Sequence, residues 1–265
     1  MRTNLHFRRT VFTLLALLGI TAGSQAQDMT STPLTFEAIE AGTVSIENPN
    51  GLTIEYSTDG GINWTFSSAN PISIAVAAND VVQFRGNNAK YGDGSPDNAT
   101  HFTATNDVYV YGNIMSLVDK TDFATNISLT SASAFEYLFA KPYTGDSFGL
   151  FDNNTTIKSH GSKELVLPAT SVPEEGYTYM FAGCQGLTRA PQLPATTLGV
   201  SCYHQMFANC TGLTRAPELL ATTLVEVCYS NMFDGCSNLN YVKCLATDLS
   251  ASDCTWGWLD GVAAT

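Results

Sequence analysis

Between Leu34 and about Met115, apolar and polar residues alternate in short runs. Leu52, Ile54 and Tyr56 alternate with polar neighbours, Asp59-Gly60-Gly61 supplies a turn, and Ile62, Trp64 and Phe66 resume the alternation. That pattern predicts a β-hairpin. Ile72 to Val76, Val81 to Phe84 and Val108 to Tyr111 read as further strands, the last after a loop rich in Gly, Asp, Pro and Asn. Strands this short and this closely spaced predict a small antiparallel β-sandwich over residues 27–115. From about Ser116 the period changes. Ser131 or Ser133 is placed to cap a short helix with Ala134, Phe135, Leu138 and Phe139 on one face. Tyr177-x-x-Met180-Phe181, Tyr203-x-x-Met206-Phe207 and Tyr229-x-x-Met232-Phe233 share the i, i+3, i+4 spacing of a helix. An extended piece, Leu187 to Pro191, follows the first of them. One unit is therefore expected to be a short strand, a Pro-bounded turn and a helix of one or two turns.

These units repeat. Residues 184–209 and 210–235 agree at 16 of 26 aligned positions. The period extends both ways, through Leu167-Pro168-Ala169-Thr170, Met180/Met206/Met232, Cys184/Cys210/Cys236 and Cys202/Cys228/Cys254. A fixed period of this length predicts stacked units that bury their apolar faces against one another. On that basis the Leu187, Leu213 and Leu239 segments should lie adjacent and parallel.

The unit Cys-Tyr-x-x-Met-Phe-x-x-Cys-x-x-Leu-Thr-x-Ala-Pro-x-Leu-x-Ala-Thr-Thr-Leu resembles the leucine-rich repeats of BspA-like surface proteins from Bacteroidetes-type bacteria. Residues 239–256 are similar to the closing unit of such arrays. Ser57 to Gly61, Gln83 to Gly86 and Tyr111 to Leu117 look like the β-domain that precedes them. Leu220 departs from the pattern, standing where the preceding unit has Pro194. The resemblance implies a mixed α+β, β-rich fold, in which the β-sandwich is followed by a right-handed leucine-rich-repeat solenoid over residues 116–265. It also implies a secreted or surface-displayed, non-enzymatic protein used in adhesion or interaction.

Residues 1–26 carry Arg2, Arg8 and Arg9, an apolar run from Val11 to Ile20, and Ser24-Gln25-Ala26 before Gln27. This is the pattern of a secretory signal peptide, with an apolar run too short to span a bilayer. Its removal leaves 9 basic side chains against 24 acidic ones, a net charge of −15. Clustered basic residues are absent from the sequence, which speaks against a nucleic-acid partner. No later stretch predicts a membrane span.

The seven cysteines form no pair of C-x-x-C type, so zinc is not expected. Six sit at equivalent repeat positions and are read as stacked buried thiols, with a regular disulfide set as the alternative and Cys244 as the exception. His101, His160 and His204 have no nucleophile or paired carboxylate at a recognised spacing, so no catalytic site is expected. Asp93 and Asp97 fit no standard calcium loop. Neither a cofactor nor a metal is predicted.

The remaining candidates are the polar positions of the repeats. Thr188, Thr214 and Asn240 should form one exposed column, Arg189, Arg215 and Tyr241 a second, and Gln192, Glu218 and Cys244 a third. Repeat arrays bind macromolecules through such surfaces. An equally simple reading is a solvated face copied by duplication. The expected partner is an extracellular protein bound on this face. The alternative is a glycan stacked on Trp64, Tyr91 or Tyr109 of the β-domain.

Overall fold

The computed structural model describes residues 27–142 and 151–263. The signal-peptide reading of residues 1–26 lies outside them. Eight strands come first: β1 (Leu34–Ala38), β2 (Gly42–Glu47), β3 (Ile54–Ser57), β4 (Thr65–Ser67), β5 (Ile72–Val76), β6 (Val81–Arg85), β7 (His101–Ala104) and β8 (Val108–Asn113). Short strands follow: β9 (Lys141–Pro142), β10 (Phe151–Asp152), β11 (Ile157–Ser159) and β12 (Leu165–Val166). The repeats add β13 (Ser171–Val172), β14 (Thr197–Leu198), β15 (Glu218–Leu219) and β16 (Lys243–Cys244).

The larger sheet has the order β11-β8-β1-β6-β3-β4, with β12 also on β8, and the smaller has β5-β2-β7. Their apolar faces follow the period of two: in β5, Ile72, Ile74 and Val76 are buried and Ser73 and Ala75 exposed. The two sheets meet through Phe36 of β1, whose ring stacks on Phe102 of β7 at 5.3 Å between centroids. Strands β11 and β12 join β8 in parallel. The larger sheet is thus mixed, and it takes strands from both sides of residue 115.

The expected α+β fold with a leucine-rich-repeat solenoid does not form. No α-helix occurs among the described residues, and the repeats contribute separate two-stranded sheets, β13-β14 and β15-β16, rather than one continuous sheet. The hydrogen bonds explain why. Met180 and Ala182 donate to the carbonyls three residues back, Tyr177 and Tyr179. Between them, Tyr177, Tyr179, Phe181 and Gly183 donate to Cys202, His204, Met206 and Ala208 of the next unit. The same alternation links residues 201–209 to 226–234 and 227–235 to 252–260. An α-helix would spend every amide inside its own segment. Here every second amide crosses to the next layer, so the segment is a ribbon of turns.

Turns of this kind need left-handed residues at fixed intervals. Glu175, Tyr179 and Gly183 have φ of 54°, 57° and 75°, and Ser201, Gln205 and Asn209 have 55°, 50° and 57°. A helix interior excludes that conformation, which costs an L-residue roughly 1–2 kcal/mol. The i, i+3, i+4 spacing survives because a chain of turns also returns Tyr177, Met180 and Phe181 to the same side.

The Leu187, Leu213 and Leu239 segments are not strands either. Pro191 and Pro194 remove two amides from the first unit's extended stretch. Where Leu220 replaces the second proline, β15 forms and pairs with β16.

Packing is by column. Leu193 and Leu219, Tyr177, Tyr203 and Tyr229, and Met180, Met206 and Met232 are all buried at equivalent positions. Phe139, Phe181, Phe207 and Phe233 stack at 5.1, 5.4 and 5.6 Å, nearly parallel. Phe139 also touches Phe36 at 6.2 Å and Phe102 at 6.0 Å, so the core runs from the sheets into the repeats without a break.

Candidate functional site

Leu187, Leu213 and Leu239 are buried, as are Ala190 and Ala216 three residues on. The residues between them therefore point outward: Thr188, Arg189, Thr214, Arg215, Asn240 and Tyr241 are exposed, as are Gln192 and Glu218. The second and third layers are tied along this face, with the Asn240 amide donating to the Thr214 carbonyl at 3.1 Å and Ala216 to Tyr241 at 2.9 Å.

The two arginines have different surroundings. The Arg215 guanidinium lies 3.9 Å from the centroid of the Tyr241 ring. A stacked cation of this kind presents a flat, pre-ordered surface. Arg189 instead turns back on the loop after β11, where its Nη2 donates to the His160 carbonyl at 2.6 Å and, longer, to Lys163. Ser159 completes that clamp, its Oγ accepting from the Thr188 and Arg189 amides at 3.1 and 3.0 Å. Arg189 is thus a brace, and the open part of its column is Arg215 with Tyr241.

The third column is also altered. Glu218 stands opposite Lys243, and Leu219 opposite Cys244, a step of 25 residues. Lys243 pairs with Glu218 at 2.9 Å, and this hydrogen bond holds its ammonium pKa above the ordinary value. Cys244 is only partly buried and drops out of the exposed column. Lys243 takes its place, a residue a strict 26-residue alignment passes over.

Behind Arg189 lies a denser network. Glu37 accepts from Lys163 at 2.6 Å and from the Tyr111 hydroxyl at 2.9 Å, with Lys163 also 3.0 Å from that hydroxyl. Burial works to raise the Glu37 pKa, but these hydrogen bonds outweigh it and the carboxyl ends below its ordinary value. His160 sits edge-on to Tyr109 and Tyr111, and its Nδ1 accepts from the Ser162 and Lys163 amides. Burial, then the Lys163 charge, lowers its pKa. Together these bonds fix the loop that Arg189 braces.

The aromatic platform expected for a glycan is not assembled. Tyr91 is fully buried and donates to the Leu117 carbonyl. Trp64 is covered by the Arg85 guanidinium at 3.8 Å, and Tyr109 packs on His160. The cysteines are all free thiols. Cys184, Cys210 and Cys236 donate to the carbonyls of Phe139, Phe181 and Phe207 at 3.2, 3.1 and 3.0 Å. Burial pushes Cys228 up to about 11 and Cys236 up to about 12, far from the reactive thiolate range. His204 bridges Tyr179 and the Ser230 carbonyl. Among the described residues no group of three or more His, Cys, Asp or Glu is placed to hold a metal ion, and no helix is long and apolar enough to cross a membrane.

Comparison with protein-family models, with curated proteins and with solved structures finds no match to this chain.

Proposed function

We propose that this chain is an exported, non-enzymatic interaction protein that binds an extracellular protein through the exposed face of its repeats. The observation that carries this is the Arg215–Tyr241 stack, exposed and ordered, on a face shared with Thr188, Thr214, Gln192 and Glu218. Arg and Tyr are the residue types that most often anchor protein interfaces, and ordering them in advance lowers the entropy lost on binding. The backbone hydrogen bonds between layers hold the face rigid, and the Glu218–Lys243 pair borders it with both signs of charge.

The test is binding of the full chain to an array of immobilised extracellular-matrix and cell-surface proteins, with Arg215→Glu and Tyr241→Ala variants alongside. The reading expects a bound partner whose affinity falls about tenfold or more in each variant, a loss of about 1.4 kcal/mol, with unchanged circular dichroism. Partner binding that is indifferent to both changes would place the interface elsewhere.

A further inference from the structure

A groove of about 570 Å³ lies alongside β7, within the size range of small-ligand sites. One wall is the outer face of the smaller sheet, where Glu47 of β2 and His101 of β7 are cross-strand partners and Thr103 follows on the same face. Loops supply Asn70 and Asn153, and a single 3-10 turn, Pro96–Asn98, supplies Asp97. Nothing in the linear order of these residues announces them, since they come from five separate segments of the chain.

The walls are set in place from behind. Asn48 is fully buried, donates its side-chain amide to the Leu52 and Ala69 carbonyls, and gives its backbone N–H to Asn70 Oδ1 at 2.8 Å. Asn70 is thereby oriented with its amide nitrogen on the other side. Asn154, also buried, donates to the Phe139 carbonyl at 3.0 Å and accepts from the Thr156 hydroxyl at 2.9 Å, which pins the opposite wall. His101 Nδ1 lies 3.0 Å from the Ala99 carbonyl, so Nδ1 carries the proton and Nε2 is left as an acceptor. Burial holds the His101 pKa below the ordinary value, keeping the ring neutral.

These groups select a ligand class. The Glu47 and Asp97 carboxylates disfavour an anion, and Lys141 at the rim is paired with Asp152 at 3.5 Å. Among the described residues the lining holds no phenyl or indole ring for a flat apolar ligand. Instead it offers amides, hydroxyls, an imidazole acceptor and carboxylates, a mixture of donors and acceptors that matches vicinal hydroxyl groups. We infer that this groove binds a neutral carbohydrate, with Glu47, His101 and Asn153 accepting from or donating to its hydroxyls. It is separate from the Arg215–Tyr241 face and does not depend on it.

The experiment is a glycan array probed with the full chain, containing neutral, sialylated and sulfated oligosaccharides. Neutral glycans should be retained and their charged counterparts not. Asn153 is exposed, so Asn153→Ala leaves the fold intact while lowering neutral-glycan affinity at least tenfold, and His101→Ala should do the same. Arg215→Glu should leave it unchanged. Retention of anionic glycans alone, no retention at all, or neutral binding indifferent to both groove substitutions would overturn the inference.

Discussion

The sheets of residues 34–113 and the layers that follow satisfy the same backbone by different rules. In β1, neighbouring residues pair with β6 on one side and β8 on the other, each through long-range ladder bonds. In the layers, one amide closes a local turn and the next reaches the following layer, as with Met180 to Tyr177 and Phe181 to Met206. A sheet specifies its register through unlike residues on opposing strands, whereas the layers specify theirs through like residues stacked on themselves, Phe181 on Phe207 on Phe233. Helical spacing of apolar residues is therefore not diagnostic of a helix where units repeat, because a neighbour with the same turns can accept half of the amides.

The largest effect should come from breaking the shared core. Phe207 is fully buried between two parallel rings, and Phe207→Ala should cost about 3–5 kcal/mol. Because Phe139 joins the ring stack to Phe36 and Phe102, denaturant unfolding should stay a single transition by both tryptophan fluorescence and circular dichroism. Two separated transitions would show that sheets and layers are energetically independent.

At the junction of sheets and layers, stability should depend on pH. Glu136 is buried in the first layer and accepts from the Gly94 amide of the sheet region at 2.8 Å. Burial raises its pKa to about 7; the Gly94 hydrogen bond opposes this, and the Glu175 and Asp93 charges add to it. The folded state therefore holds this proton more tightly than the unfolded chain. Its contribution to stability is fully present below about pH 4.5 and is lost as pH rises through about 7. Glu136→Gln should remove that dependence, gaining on the order of 2 kcal/mol relative to the native chain at pH 8 over pH 5. Equal pH profiles for the two proteins, from urea midpoints, would contradict it.

Smaller still is the strain within the turns. Val227 occupies a left-handed position, φ 59°, that is filled in the other layers by Glu175, Ser201 and Asp253. A β-branched residue is least suited to it. Val227→Asn should raise stability by about 0.5 kcal/mol, readable as a higher thermal midpoint; a clear loss would argue against the turn ribbon. The smallest expected change is Arg215→Ala, which should shift stability by less than about 0.5 kcal/mol because both members of the stack are exposed.

Much of the packing was legible. The 26-residue period marked the columns at Met206, Phe207 and Cys210, and the alternation around Leu187 and Ala190 marked Thr188 and Arg189 as outward-facing. What could not be read was how the backbone bonds close. A turn ribbon and a short helix bury the same residues, and only the left-handed positions separate them; of these, Gly183 and Asn209 are natural choices, but Tyr179 and Val227 are not. The roles of individual side chains depended on distant partners. Arg189 is claimed by the loop at His160, Tyr91 is drawn inward to Leu117, and a one-residue slip brings Lys243 beneath Glu218. The groove beside β7 left no signal because its wall residues share neither a spacing nor a motif.

The most direct test of the layered-turn account is amide hydrogen exchange resolved by residue in solution. Tyr203, Gln205 and Phe207, and Tyr229, Asn231 and Phe233, donate to the layer that follows them and should be strongly protected. Their equivalents in the final layer, Thr255, Gly257 and Leu259, have no such layer among the described residues and should exchange rapidly, while Trp256 and Trp258, closed in local turns, exchange more slowly. Alternating protection of this kind is the expected outcome. Uniform protection from Thr255 to Leu259, with helical coupling constants at Gln205 and Asn231, would contradict it.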